Sequence, residues 1–340
     1  MTSAVPPPDH WIDPDVPWHY GDPLREQRLL AAGGGAVDLS NRGVVAIAGP
    51  DRLGWLNDLT TQSVAGLGAG ESSLALILSP HGHVEHELHL VDDGTTSYAI
   101  VQPGTAPALV DYLRRMQFLL RVEVADRSED LAVVWEPVRE ADPDVPAWLV
   151  PADFAGTGRV DSGADRGGDA AKYVGARPAV LVGREVVVPR SEVEARLGDE
   201  RAGTWALEAL RIAAAVPRLG AETDHRTLPH EVGWIGPGVH LAKGCYRGQE
   251  AVARVHNLGQ PPRRLVLLHL DGSGESLPAH GDAVLVDGAE IGWVGSAAWH
   301  YELGPIATAV VKRTASDAPA LVRAADGDIA AAQERVVLPL

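Results

Sequence analysis

The chain has 340 residues, of which 45% are hydrophobic and 22% charged, a composition typical of a globular protein and not of a disordered one. Its formal net charge of −17 disfavours tight, non-specific binding to nucleic acid, because the phosphates and the protein would repel each other. One cysteine excludes an internal disulfide, and neither a secretory leader nor a membrane-spanning apolar run is visible, so we expect a cytoplasmic protein.

The prolines and tryptophans of residues 1–36 predict an extended N-terminal arm. Five prolines within the first 17 residues oppose a helix, because proline lacks a backbone N–H donor. Trp11 and Trp18 carry large apolar rings that would dock the arm on the body of the protein. The alternative is an arm without fixed structure, as is common at chain ends.

The segment from residue 37 to about residue 137 alternates short β-type runs with helical patterns. An amphipathic helix is predicted over residues 106–120, where four apolar side chains from Leu109 to Leu120 recur on one face. This alternation favours an α+β layered lobe. The predicted strands cover residues 44–48, 73–79, 83–91, 97–102, 122–125 and 131–135.

Residues 138–172 are rich in proline, glycine, alanine and aspartate, which predicts a loop-rich linker. The linker would join two α+β lobes that together span residues 37–260, the second with two short strands and a helix over residues 204–215. After residue 260, short β-type runs separated by turns that contain glycine and aspartate predict a C-terminal β-barrel over residues 261–340.

The sharpest motif lies between residues 243 and 250 and contains the only thiol of the chain. It reads Lys243-Gly244-Cys245-Tyr246-Arg247-Gly248-Gln249-Glu250. The two glycines allow a sharp turn, and the last two residues can begin a helix. Lys243 and Arg247 place positive charge near Cys245, which would favour the reactive thiolate form. The alternative is that Cys245 is a small buried residue in a tight turn.

The string KGCYRGQE resembles the signature of the YgfZ family, whose common form is K-G-C-[FY]-x-G-Q-E. The resemblance covers nearly all of the chain from residue 37 onward. The other segments that resemble the family are Asp38-Leu39-Ser40, Leu59-Thr60-Thr61, Leu210-Arg211-Ile212-Ala213, Pro229-His230-Glu231 and Arg263-Arg264-Leu265.

The YgfZ family is a folate-binding branch of the glycine-cleavage T-protein superfamily, and the resemblance implies three lobes around a central opening that binds tetrahydrofolate or another reduced folate. It also implies a role in assembling or repairing iron–sulfur clusters, with client enzymes such as those that modify tRNA, and Cys245 as the functional thiol. The expected folate contacts are Arg42, Trp205, Arg211, Glu231 and Arg254.

The chain departs from the aminomethyltransferase branch of the same superfamily. Where that branch carries V-N-A and a downstream catalytic aspartate, the matching strand here ends Ile100-Val101-Gln102-Pro103-Gly104. Protonation of an amine leaving group needs a placed acid. We therefore expect a folate-binding accessory protein, and keep a folate-dependent one-carbon or aminomethyl transferase as the alternative.

Three other clusters of residues suggest different kinds of site. His83 and His89 share one face of a predicted strand with Glu85 and Glu87, and a solvated face is the expected explanation, with a metal site as the alternative.

Asp224-His225 and His230-Glu231 would suit a Cys/His/acid hydrolase, which no nucleophile motif supports. The five basic residues between 243 and 264 would attract an anionic ligand such as a folate polyglutamate tail, or remain solvated. We expect neither a bound metal nor stable binding of nucleic acid.

Overall fold

A computed structural model describes residues 3–142, 144–154, 179–258 and 260–337 of the protein. This part of the chain forms three lobes: two five-stranded sheets with flanking helices, and a closed six-stranded barrel. The predicted α+β class with three lobes and a C-terminal barrel is confirmed. Within the described ranges, no helix is long and apolar enough to cross a membrane. Residues 155–172 of the predicted linker lie outside those ranges.

Six α-helices and sixteen strands are found within the described residues. The helices are α1 Pro23–Ala31, α2 Arg52–Leu59, α3 Ala106–Met116, α4 Val193–Leu197, α5 Thr204–Ala213 and α6 Gln249–Leu258. The strands are β1 Ala36–Asp38, β2 Gly43–Ala48, β3 Ser72–Leu78, β4 Val84–Asp92, β5 Thr96–Val101, β6 Glu123–Asp126, β7 Leu131–Glu136, β8 Ala147–Leu149, β9 Arg184–Pro189, β10 Arg201–Ala202, β11 Arg263–Leu270, β12 Ala283–Val286, β13 Ala289–His300, β14 Gly304–Lys312, β15 Ala320–Ala324 and β16 Gly327–Arg335.

The first lobe is an antiparallel sheet in the order β3-β4-β5-β2-β6. Its strand β3 is apolar from Leu74 to Leu78, where both of its faces are buried. Leu74, Leu76 and Leu78 belong to a core that extends into the second lobe, whereas Ile77 packs with residues of α2 and α3. Alternating side chains of one strand therefore serve two cores.

The second lobe is a sheet in the order β10-β1-β7-β9-β8, in which only the β1–β10 pair is parallel. Trp135 of β7 and Trp148 of β8 belong to the same core as Leu74 of the first lobe. The two sheets thus share one hydrophobic core, and burial of these large rings holds the lobes together.

The N-terminal segment is not extended throughout, because helix α1 lies within residues 1–36. Asp22 caps this helix by accepting a hydrogen bond from the Arg25 N–H, and Pro23 occupies the first helical turn. A proline is tolerated there because its missing N–H would have no partner within the helix. The prediction of an extended arm is therefore wrong for Pro23–Ala31. The Asp22-Pro23 pair is a local signal for the start of a helix.

Helix α3 ends at Met116, one turn before the predicted end at residue 120. Phe118 has a φ of 48°, in the left-handed region that a helix cannot continue through. The turn leaves Phe118 and Leu119 more than four-fifths exposed. Leu120 was predicted to face the core, and it too is exposed.

The barrel has the strand order β11-β14-β13-β12-β15-β16 and is attached to the preceding loop by Arg263. The Arg263 guanidinium donates to Asp224 Oδ2 at 2.6 Å and to both carboxylate oxygens of Glu231, at 3.0 and 2.8 Å. The Glu231 side chain has no exposed surface, so its charge depends on this arginine for compensation.

Replacement of Arg263 with alanine is expected to lower the free energy of unfolding by about 2–4 kcal/mol, because it leaves the buried Glu231 carboxylate unpaired. Urea unfolding followed by circular dichroism would measure the change. The matched control is Arg335→Ala, which breaks an exposed pair with Asp317 and should cost less than about 1 kcal/mol. Equal losses in the two variants would contradict the anchoring role of Arg263.

Candidate functional site

A small cavity of about 50 Å³ lies where the two sheets, helix α5 and the loop after α5 meet. Its wall combines aromatic rings with an unusual number of buried charged groups. The lining residues are Arg42, Leu74, Glu87, His89, Gln102, Trp135, Trp148, Val150, Phe154, Leu181, Glu185, Leu207, Glu208, Arg211, Val216, Pro217 and Arg218. We refer to it below as the central cavity.

The face of β4 that carries His89 and Glu87 forms one side of the central cavity. The His89 ring stacks on Trp148 with centroids 3.7 Å apart, and its Nδ1 lies 2.7 Å from Glu185 Oε2. Glu87 Oε1 lies 3.5 Å from His89 Nε2, and only 4% of the Glu87 side chain is exposed. The expectation of a solvated strand face is wrong for these two residues, because the second sheet packs over them.

The His89 imidazole is held between two carboxylates, which sets the charge of this side of the cavity. Burial by itself would lower the pKa of His89, but Glu185 and Glu87 outweigh burial and raise it to about 9. Burial would likewise raise the pKa of Glu87 and Glu185, but the bonds with His89 prevail and lower both. At neutral pH the group is a histidinium between two carboxylates.

The opposite side of the cavity holds three buried arginines, each bonded to an acidic or amide side chain. Arg218 donates to Gln102 Oε1 at 2.6 Å and to Glu208 Oε1 at 3.0 Å. Arg42 donates to the same Gln102 oxygen at 2.9 Å. Arg211 bonds to Glu208 and reaches Ser296 of the barrel at 2.6 Å. The arginines thereby connect the first lobe, helix α5 and the barrel.

These charges give the cavity the means to bind a polar, partly aromatic ligand. Carboxylates accept hydrogen bonds from adjacent N–H groups, guanidinium groups donate to carboxylates, and the ring faces offer stacking surfaces. Arg42 Nε is buried and has no hydrogen-bond partner among the described residues, so it is one donor that a ligand could satisfy.

The carboxylates in the cavity change the expectation, drawn from the sequence, that the chain lacks a placed acid. Strand β5 and Gln102 after it supply no acid, as the sequence indicated, but Glu87, Glu185 and Glu208 reach the cavity from β4, β9 and α5. Their positions are far apart in the sequence, so no local motif marks them. The cavity therefore contains acidic groups, although residues 100–104 lack the aspartate of the aminomethyltransferase pattern.

The thiol of the 243–250 motif is exposed, which contradicts the alternative that Cys245 is a buried residue. Cys245 is not among the described residues that line the central cavity. The two cations expected to act on the thiol have other partners. Lys243 Nζ donates to the carbonyl oxygens of Asn57, Thr60 and Gln62, and Arg247 pairs with Glu85 at 3.0 Å.

The rest of the motif builds the turn that presents Cys245. Gly248 has a φ of 83°, and an added Cβ would lie 2.5 Å from the Ser79 carbonyl oxygen. Tyr246 is buried, with its ring 5.4 Å below Lys243 Nζ, and Gln249 begins helix α6. Gly244 and Glu250 are exposed. The motif is thus packed against the first lobe through Lys243, Tyr246 and Gly248.

The five predicted folate contacts separate into two groups. Arg42 and Arg211 line the central cavity. Trp205, Glu231 and Arg254 are absent from its described lining. Trp205 stacks on Trp18 of the N-terminal segment at 4.7 Å, Glu231 anchors Arg263, and Arg254 is exposed on α6. Trp205 points away because Leu207, two residues later on α5, occupies the side that faces the cavity.

The other proposed clusters do not assemble. Within the described ranges, no group of three or more His, Cys, Asp or Glu side chains is arranged to hold a metal ion. Asp224 and Glu231, considered for a hydrolase, both bind Arg263.

Comparisons with known proteins agree with this architecture. Residues 14–135 match the GCVT N-terminal domain, and residues 263–336 match the glycine cleavage T-protein C-terminal barrel domain. An aminomethyltransferase of Rubrobacter xylanophilus is 29% identical over an alignment of 301 residues, and the match covers 85% of this chain and 79% of the relative. An aminomethyltransferase of Herpetosiphon aurantiacus is 26% identical over an alignment of 313 residues, and the match covers 88% of this chain and 84% of the relative.

The crystal structure of glycine cleavage system aminomethyltransferase T from Bartonella henselae has the same fold. It aligns with a TM-score of 0.74 and 19% identity, over 97% of this chain and 93% of that one.

The His89 cluster predicts a loss of stability at alkaline pH. The pKa of His89 is about 9 in the folded state and about 6.5 in the unfolded state. Protonated His89 therefore contributes fully to the free energy of unfolding below pH 6.5, and this contribution is lost as the pH rises through 9. Between pH 6 and pH 9 the free energy of unfolding of the wild-type protein should fall by about 2–3 kcal/mol more than that of a His89→Gln variant. Urea unfolding at three pH values measures this, and parallel pH profiles would contradict it.

The motif glycines offer a matched pair of substitutions. Gly248→Ala should lower the free energy of unfolding by about 2 kcal/mol or more, because alanine is strained at positive φ and its Cβ would clash with the Ser79 carbonyl oxygen. Gly244→Ala should cost less than about 1 kcal/mol, since no atom lies within 4 Å of the added carbon. Urea unfolding and the rate at which a thiol reagent labels Cys245 would both be measured. Similar behaviour of the two variants would show that the turn is not constrained at Gly248.

Proposed function

Because this chain belongs to the glycine-cleavage T-protein-like superfamily, we propose that its central cavity binds a reduced folate, tetrahydrofolate or a related form. The observation that carries the proposal is the cavity itself, in which aromatic rings and buried charged groups from both sheets and α5 converge. A pocket of this composition between lobes is a common place for a small-molecule site.

The chemistry of the lining suits the parts of a reduced folate. The pterin edge presents adjacent N–H groups, which a carboxylate such as Glu87 or Glu185 can accept in pairs. The glutamyl end carries carboxylates, for which the guanidinium groups of Arg42 and Arg218 are matched donors. Trp135 and Trp148 supply flat apolar surface for the rings.

Transfer of a one-carbon or aminomethyl unit is one proposed use of the folate. The names of the relatives support this use more directly than any other, since both are aminomethyltransferases. A bound reduced folate would carry the one-carbon unit. The protein would contribute Glu87 and Glu185, whose lowered pKa keeps them ionised, so that they stabilise positive charge developing on a reactant.

Support of iron–sulfur proteins through Cys245 is the second proposed use. The specific observation in its favour is the exposed thiol on a constrained turn, outside the described lining of the cavity. A partner protein can reach a thiol in this position. One cysteine cannot supply the four ligands of a usual cluster, so Cys245 would act with groups of a client or assembly protein.

Calorimetric titration with tetrahydrofolate tests the folate proposal. We expect saturable binding by the wild-type protein and by Cys245→Ser, and at least about tenfold weaker binding by Glu87→Gln, because a neutral side chain replaces a charged acceptor. Glu129→Gln, an exposed change of the same kind, is the control. Absence of binding to the wild-type protein would remove folate from the proposal.

Two assays separate the two uses of the folate. Purified protein would be tested for transfer of a one-carbon unit from small methylamines or aminomethyl donors to tetrahydrofolate, with Glu87→Gln as the inactive comparison. A strain lacking the gene would be tested for the activity of iron–sulfur enzymes when supplied with wild-type or Cys245→Ser protein. Transfer that depends on Glu87 supports the enzyme, whereas loss of iron–sulfur activity only in Cys245→Ser supports the accessory role.

A further inference from the structure

The N-terminal segment contributes a buried carboxylate, Asp13, that binds Arg218 of the cavity wall without being one of the described lining residues itself. Asp13 is 1% exposed although it lies in an irregular stretch between prolines and tryptophans. It accepts hydrogen bonds from Arg218 Nη1 at 2.7 Å and from Arg218 Nη2 at 2.5 Å. It also lies 3.9 Å from Arg42 Nε and accepts a bond from Asn41 at 3.3 Å.

The two arginines that Asp13 holds are lining residues of the cavity, and they form a pair of like charges. Burial and the neighbouring Arg218 both lower the pKa of Arg42, so the pair needs an anion beside it. Asp13 supplies one such anion, which Arg218 binds through two parallel bonds, and Glu208 supplies a second at 3.0 Å from Arg218. Arg42 Nε, however, has no hydrogen-bond partner among the described residues. The pair is therefore only partly satisfied by Asp13.

The central cavity is so small that a ligand must displace side chains that now surround it. Its volume of about 50 Å³ has room for one or two water molecules, whereas pockets for small-molecule ligands measure roughly 300–1,000 Å³. The charged side chains that line the cavity are bonded to neighbouring polar side chains. Exchange of one anionic partner for another is the displacement that leaves the buried arginines compensated throughout.

The arm is fastened on both sides of Asp13 by contacts that do not involve the cavity. Trp11 Nε1 donates to Thr204 Oγ1 at 3.0 Å, and Trp18 stacks on Trp205 at 4.7 Å. The backbone N–H of Thr204 also donates to the Pro17 carbonyl at 3.0 Å. These anchors keep Asp13 at high local concentration beside the arginines even when its carboxylate is released.

We propose that Arg42 and Arg218 form a binding site for a ligand carboxylate, and that Asp13 occupies this site until such a carboxylate displaces it. The inference rests on the proposed function in one respect, that the glutamyl group of a reduced folate supplies the carboxylate. The N-terminal segment then acts as a built-in competitor that favours ligands with an anionic tail and keeps the arginine pair compensated in their absence.

Calorimetric titration of the full chain with three probes tests the proposal. 5-Formyltetrahydrofolate carries both a pterin and glutamyl carboxylates, 6-methyltetrahydropterin lacks the carboxylates, and p-aminobenzoyl-L-glutamate lacks the pterin. Asp13→Asn should bind the two carboxylate probes about tenfold more tightly than wild type, because the competitor is gone, and should bind the pterin unchanged. Asp15→Asn makes the same change of charge at an exposed position two residues away and should behave as wild type.

The outcomes distinguish this inference from the folate proposal. Tighter binding of p-aminobenzoyl-L-glutamate by Asp13→Asn, without binding of either pterin probe, would support the carboxylate site and remove folate. Folate binding that is equal or weaker in Asp13→Asn would keep the folate proposal and overturn the role of Asp13. Absence of binding by every probe would overturn both.

A measurement on the wild-type protein covers the case in which Asp13→Asn does not fold. Backbone amides of residues 11–18 should exchange with deuterium faster when 5-formyltetrahydrofolate or p-aminobenzoyl-L-glutamate is saturating, because the Asp13 contact has been released. The pterin probe should leave their exchange unchanged. Slower or unchanged exchange with both carboxylate probes would overturn the proposal.

Discussion

Compensation of the buried Arg218 charge is the interaction on which the centre of this protein depends. Its guanidinium bonds to Asp13 of the N-terminal segment, to Gln102 after the fifth strand and to Glu208 of helix α5. A buried cation without partners would be strongly destabilising, so bonds from these three chain segments together stabilise the centre of the protein. The lobes are therefore joined by charge as well as by their shared hydrophobic core.

Buried ion pairs are a costly means of stabilisation compared with apolar packing, and their concentration at one place needs a reason. Around the central cavity lie histidinium, guanidinium and carboxylate groups, and each is bonded to at least one partner. Such a network can exchange an internal partner for a ligand group of the same charge. This is the property expected of a binding site that remains closed until it is filled.

The thiol motif and the cavity are separate features of the structure. The motif packs on the first lobe through Lys243, Tyr246 and Gly248 and turns Cys245 outward, whereas the cavity lies between the lobes and is lined by other residues. A protein organised in this way can bind a small molecule at one place and meet a macromolecule at another. Support of iron–sulfur proteins would need the exposed Cys245 turn, whereas transfer of a one-carbon unit would need only the cavity.

Local patterns determined much of the fold. The period-two and helical patterns located most strands and the helices α3 and α5, because burial of one face imposes those spacings on the sequence. Strand β16, Gly327–Arg335, carries no such signal, because its alanines and charged residues have little strand propensity. It is a strand because it closes the barrel between β11 and β15. The Asp22-Pro23 start of α1 was a local signal that was present and overlooked.

The residues of the candidate site likewise fall into those that the sequence indicated and those that only the tertiary structure brought together. The sequence by itself located the thiol motif and two cavity arginines, Arg42 and Arg211, through contiguous or aligned strings. Only the tertiary structure decided that Glu87 and His89 face inward, that Glu185 and Trp148 meet them, and that Asp13 reaches Arg218 across 205 positions of the chain. Charge compensation and ring stacking act through space, so no spacing in the sequence records which partners they bring together.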